Sequence, residues 1–154
     1  MEGRPYNEVA EERNLAKKLF TSEGFAVCDP LRHKHVQLKE GKTVMDLAKA
    51  SFEVQQIVAR DEADIRASDG LLVLTGDTPS SGTWFEFAFA HYVVKIPVVV
   101  VAPKLRDRMN KKEAAFEWTG AKASKVVSSI EEAVVVFKWV FGNRLYLPHS
   151  ELQF

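Results

Sequence analysis

The sequence predicts an α/β fold, a single domain in which an open parallel sheet lies between helices in three layers. Two observations predict it. The runs "GLLVL", Gly70 to Leu74, and "IPVVVVA", Ile96 to Ala102, are apolar throughout with no alternation, the pattern of strands covered on both faces, whose usual home is a parallel sheet. Between them a helix-like stretch from about Thr83 to Val94 supplies the crossover that parallel neighbours need. At 154 residues the chain can bury one proper core, so one domain over 1–142 is expected, followed by an arm over 143–154.

The other elements follow from caps, breakers and periodicity. From Asn7 to Ser22, Val9, Leu15, Leu19 and Phe20 recur among charges as an amphipathic helix, with Asn7 as its cap and Gly24 as its end. "FAVCDP" reads as a short strand, Phe25 to Cys28, stopped by Asp29 and Pro30. The basic, aperiodic "LRHKHVQLKEGK" reads as a loop. Thr43 caps a second helix whose apolar positions are Val44, Leu47, Ala48, Phe52, Val54 and Ile57, and the helical pattern continues or restarts through "DEADIRASD". "KVVSS" reads as a further strand, and Ser129 caps a last helix, "IEEAVVVFKWVFG", ended by Gly142.

Composition excludes several classes of function. Lys plus Arg and Asp plus Glu both number 21, which leaves no general electrostatic basis for binding a nucleic acid polymer or an anionic membrane. The single Cys28 rules out an intramolecular disulfide and suits a reducing, cytoplasmic setting; in its strand it reads as a small buried apolar residue. His33, His35, His91 and His149 have neither metal-site spacing nor a nucleophile partner, so no metal and no cofactor are expected. No apolar run approaches the length of a membrane span, and "MEGRPYNEVAEERN" is too polar for a signal peptide.

One carboxylate stands out. Glu86 lies in "TPSSGTWFEFAFAHYVV", a turn rich in Ser and Gly running into a helix that is apolar almost all round. Ser80, Ser81, Gly82 and Thr83 bring hydroxyls and backbone N–H groups to that helix's start, at the carboxyl end of a strand, where such sheets bind ligands and where an anion is favoured. Two readings of Glu86 compete. Thr83 and Glu86 have capping-box spacing, which makes Glu86 a first-turn capping carboxylate. Alternatively, with Trp84, Phe85, Phe87, Phe89 and Tyr92 around it, it is a carboxylate set against aromatic surface at the mouth of a crevice, a place for chemistry.

"RDEADIRASDGLLVL", the Ser/Gly loop and "GTWFEFAFAHYVVKIPVVVV" together resemble the nucleoside 2-deoxyribosyltransferase family, and more closely its 2′-deoxynucleoside 5′-phosphate N-hydrolase branch. The likeness covers about Met1 to Pro103, because "MEGRPYN", the helix after it and "EGFAVCDP" also match the family's opening loop, helix and second strand. It implies a flavodoxin- or Rossmann-like sheet, here lacking the first strand that precedes that loop in the family. By resemblance Glu86 is the nucleophile and Asp61 the catalytic partner that orients the sugar or handles a proton, whereas "RDEAD" alone reads Asp61 as a solvated charge on a helix face. Asp69 stands at the family's second Asp and reads as structural, and Gly3 in the opening loop joins Ser80 to Thr83 in binding substrate.

The implied reaction is cleavage of the N-glycosidic bond of a nucleoside 5′-monophosphate through a glycosyl-enzyme intermediate. Deoxyribosyltransferases commonly carry Asp six residues before the nucleophile, whereas the monophosphate hydrolases carry Ser; this chain has Ser80. Its plain alternative is turn chemistry after Pro79. The basic "RHKH" and "KLRDRMNKK", read as loops after strand ends, either draw in phosphate or are solvated surface. An all-round apolar helix also suits packing on a second subunit, and the resemblance implies a homo-oligomer, dimer or tetramer. The alternatives are a deoxyribosyltransferase, a nucleotide-binding module without turnover, and a purely structural subunit.

Overall fold

Four consecutive valines form the centre of the molecule. In the computed structural model, which describes residues 5–30, 54–75, 81–110 and 125–144, Val98–Val101 is the middle strand of a parallel three-stranded sheet. In chain order the strands are β1 (Leu71–Leu74), β2 (Val98–Val101) and β3 (Lys125–Val127), and they lie side by side in that order. Leu71 stands opposite Val98, and Val100 opposite Val126. The helices are α1 (Tyr6–Ser22), α2 (Val54–Arg66), α3 (Ser81–Ala88), α4 (Pro103–Asn110) and α5 (Ile130–Arg144). A π-helical segment, Phe89–Val94, continues α3 directly. The fold is mixed α/β with an open sheet.

The unbroken valine run hides an alternation of faces. Val99, Val101 and Val127 pack with Ala16 and Phe20 of α1 and with Ile130, Ala133, Val134 and Phe137 of α5. Val98, Val100, Val73 and Val126 pack with Ile65 of α2, Phe87 of α3, and Phe89 and Ala90 of the π-helical segment. Both faces are therefore apolar, and no polar residue marks the period. Burying each of the Val, Ile and Phe side chains among them contributes about 1.5–3 kcal/mol.

The sheet edge and the helix ends are closed by specific contacts. Val127 O accepts from Ala102 N at 3.0 Å, so it faces β2, and Val126 O, one residue before it, faces the outer edge. Arg106 Nη1 of α4 donates to that outer carbonyl at 2.9 Å, a charged cover for the edge. Helix α1 ends in a Schellman motif. Gly24 takes φ 86°, Phe25 N bonds Phe20 O and Gly24 N bonds Thr21 O, each at 3.1 Å, while the Phe20 and Phe25 rings meet edge to face at 5.5 Å. The π-helical segment ends at Lys95, which adopts the left-handed conformation at φ 62°. At the start of α5, Ser129 Oγ accepts from Glu132 N at 3.2 Å and the Glu132 carboxylate accepts from Ser128 N at 2.9 Å, a reciprocal cap.

Several expectations are corrected. Asn7 is a helical residue and not the cap of α1; Pro5 holds that position, and its carbonyl accepts from Val9 N at 3.3 Å. Phe25 to Cys28 is not a strand. Among the described residues no ladder runs beside it, and strand propensity alone does not make a strand. Phe25 instead turns into a ring cluster with Phe20, Phe137 and Phe141, leaving Cys28 exposed and not buried. The basic stretch after β2 is helical from Pro103 to Asn110 and not a loop, because proline suits a first helical position and Arg106 N reaches back to Ala102 O at 2.9 Å. Gly142 does not end α5, which runs to Arg144; among the described residues, nothing beyond its chain neighbours and its own helix backbone stands within 4 Å of where its Cβ would be. The pattern before β1 continues as one helix to Arg66. Thr43, the 31–42 loop, His33, His35, His149 and the tail beyond Arg144 lie outside the described residues.

Candidate functional site

Strand β1 ends at Leu74, and Thr75 extends its pairing. Thr75 is buried, with its N–H 3.4 Å and its Oγ1 3.3 Å from Val101 O. Helix α3 starts across the following connection, at the carboxyl side of β1. Ser81 is its first described residue, Gly82 is exposed and Thr83 is half-buried within it. Ser80 and Gly3 fall outside the described residues.

Glu86 is the sixth residue of α3, about 7.5 Å along the axis from Ser81 at 1.5 Å per residue. This corrects the capping reading. An N-cap has non-helical geometry, whereas Thr83 already lies inside the helix, so the pair cannot form a capping box and Glu86 is not a first-turn carboxylate. Glu86 is half-buried, between exposed Phe85 and fully buried Phe87. It stands one turn before Phe89 and Ala90, both in the apolar cluster under that face of the sheet.

Asp61 occupies the matching place on the neighbouring helix. It precedes Ile65 by four residues, and Ile65 belongs to the same apolar cluster. Helix α2 packs on both α3 and the π-helical segment. The Arg66 guanidinium lies over the Phe89 ring, 4.8 Å from its centre, which fixes the two helices against each other. Each carboxylate thus stands one turn N-terminal to a buried member of one cluster, on helices in contact. Asp69 is exposed in the connection between α2 and β1.

Two features are invisible to motif reading. Arg60 Nη2 donates to Asp61 Oδ1 and to Pro30 O, each at 2.9 Å. Arg13 Nη1 meets Asp29 Oδ1 at 2.9 Å, so the chain at 29–30 is tied to α1 as well as to α2. The adjacent Arg in "RDEAD" was the available signal, but its second partner lies thirty residues away in sequence. The other feature is the π-helical segment; such turns occur frequently at functional sites. Its aromatic side chains stack closely, Phe85 on Phe89 at 5.9 Å and His91 on Phe87 at 6.1 Å, so His91 serves ring packing.

Among the described residues no group of three or more His, Cys, Asp or Glu is placed to hold a metal ion, and no helix is long and apolar enough to cross a membrane. Comparison with protein-family models, curated proteins and solved structures found no match for this chain.

Proposed function

We propose that this chain cleaves the N-glycosidic bond of a nucleoside 5′-monophosphate, with Glu86 as nucleophile and Asp61 as its partner. The observation that carries the reading is the placement of the two carboxylates, each one turn above the same apolar cluster, with Glu86 inside its helix and not capping it. With it goes a flavodoxin- or Rossmann-like three-layer arrangement, in which ligands bind at the carboxyl ends of the strands.

The Glu86 carboxylate attacks the anomeric carbon as the bond to the base nitrogen breaks, and the base leaves with a proton. Asp61 orients the sugar or handles that proton. Water then attacks the same carbon, freeing the sugar phosphate and returning Glu86 as a carboxylate; its remaining proton goes to solvent. Apolar surface beside Glu86 favours such chemistry, because charge interactions strengthen where water is thinned out. The N–H groups of the first turn of α3 and the Ser80 hydroxyl are the proposed phosphate donors. The exposed rings of Phe85 and Tyr92, with exposed Val93, suit an oligomer built on this helix, in a cytoplasmic protein.

The test is free base, measured by chromatography after incubation with matched nucleosides and monophosphates. Glu86→Ala and Glu86→Gln should lower kcat by at least about 10³-fold while stability stays within about 1 kcal/mol of the parent. Turnover near the parental value in both variants would sink the nucleophile assignment. Binding of nucleotide without release of base would make the chain a nucleotide-binding module. For the substrate class, Ser80→Asp should cut monophosphate turnover and spare nucleoside turnover. The hydroxyl's charge-assisted bond to phosphate, roughly 1.5–3 kcal/mol, is then replaced by repulsion. A parent that prefers free nucleosides would favour the transferase reading instead.

A further inference from the structure

We infer that Arg60 is a positioning residue for Asp61, a clamp through which the chain at Asp29 and Pro30 fixes the direction of that carboxylate. The inference rests on the base-release reading above.

Three observations carry it. Adjacent residues on an α-helix point about 100° apart, so helix geometry alone does not bring an arginine onto the aspartate beside it. Here a single nitrogen, Nη2, donates to Asp61 Oδ1 and to Pro30 O, each at 2.9 Å, so the Pro30 carbonyl holds the guanidinium where it reaches its neighbour. Next, Arg60 Nε is shut off from solvent and has no acceptor among the described residues. A guanidinium placed for its own satisfaction would turn that donor to an acceptor or to water; this one is placed by its Nη2 bonds. Finally, the 29–30 corner is itself anchored, since Arg13 Nη1 meets Asp29 Oδ1 at 2.9 Å and the Asp29 side chain is only 13% exposed. Two arginines therefore join α1, the corner and α2 in a line that ends at the Asp61 carboxylate, whose side chain is 17% exposed.

A planar guanidinium fixes direction, whereas a lysine ammonium supplies charge without a plane. Removing the clamp leaves Asp61 present but turned. Misplacement by about 1 Å costs about 10²-fold, and a group acting in the transition state shows its loss in kcat.

The test uses the full chain with the 2′-deoxynucleoside 5′-monophosphates of the four common bases as probes. Parent, Arg60→Met, Arg60→Lys, Asp61→Asn and the double variant Arg60→Met/Asp61→Asn are compared. Arg60→Met should lower kcat by about 10- to 100-fold with KM within about threefold, and Arg60→Lys should recover part of the loss. The same Met substitution should add little in the Asp61→Asn background, because its effect runs through Asp61. If Arg60→Met melts below the assay temperature, Arg60→Lys carries the test, with kcat lowered and KM unchanged. An active parent with Arg60→Met at parental kcat, a change in KM alone, or an equal loss with and without Asp61 overturns the clamp and leaves the base-release reading standing. A parent that releases no base from any probe overturns both.

Discussion

Gly70 is where a single methyl group tests the packing beneath β1. A Cβ placed there would stand 2.6 Å from Phe137 Cε1 and 3.2 Å from Phe141 Cζ. Carbon contacts are comfortable at about 3.5–4.0 Å, so the Phe137 ring would have to retreat by about 1 Å. It has little room to do so. Phe137 is 4% exposed, stacked on Phe141 at 5.7 Å and met edge-on by Phe20 at 5.5 Å and Phe25 at 6.5 Å. Overpacking of this kind costs about 1–3 kcal/mol, and losing a glycine from the unfolded chain returns about 0.4–1 kcal/mol. Gly70→Ala should therefore destabilise by about 1–2 kcal/mol, a fall in Tm of about 2–8 °C for a chain of this size. Urea and thermal unfolding followed by circular dichroism measure it. Phe137→Leu should cost less in the Gly70→Ala background than in the parent, because the smaller side chain relieves the clash. A neutral or stabilising Gly70→Ala would mean that the ring moves freely, and the tight contact between β1 and α5 would then be wrong.

The remaining predictions concern helix ends. Lys95→Gly should raise stability by about 0.5–1 kcal/mol, because a left-handed residue with a Cβ is strained and glycine is not; an unchanged urea midpoint would refute it. Ser129→Ala should lower stability by about 1 kcal/mol through loss of the bond to Glu132 N, read from the same unfolding curves.

The sheet was legible because its strands are covered on both faces. Val98 to Val101 need no alternation when α1 and α5 cover one face and α2, α3 and the π-helical segment cover the other. The last turn of α1 was legible for a local reason, since Gly24 has the left-handed conformation that its position demands. Phe25 to Cys28 misled because strand propensity describes a residue's fitness for a ladder and carries no information about whether a partner exists. The helix after β2 was masked by its charges, although Pro103 at its first position was a usable signal. Arg60 was out of reach, since its role depends on the Pro30 carbonyl.

The two carboxylates with capping-box spacing show where sequence reading stops. Thr83 and Glu86 repeat the spacing of Ser129 and Glu132, and nothing local separates the pairs. What separates them is the distance from the preceding strand. Strand β3 ends at Val127, so only Ser128 stands between it and Ser129, and the cap forms there. After β1 the connection is longer, and α3 is already under way at Ser81, which places Thr83 inside it. Glu132 is explained by its bond to Ser128 N at the surface, where it completes the helix start. Glu86 lies one turn above Phe89 and Ala90, beside the helix that carries Asp61, where a cap has no use for it. The place of the helix start thus makes one motif a cap and leaves the other carboxylate inside its helix, one turn before members of the apolar cluster. The proposed chemical role of Glu86 rests on that difference in place.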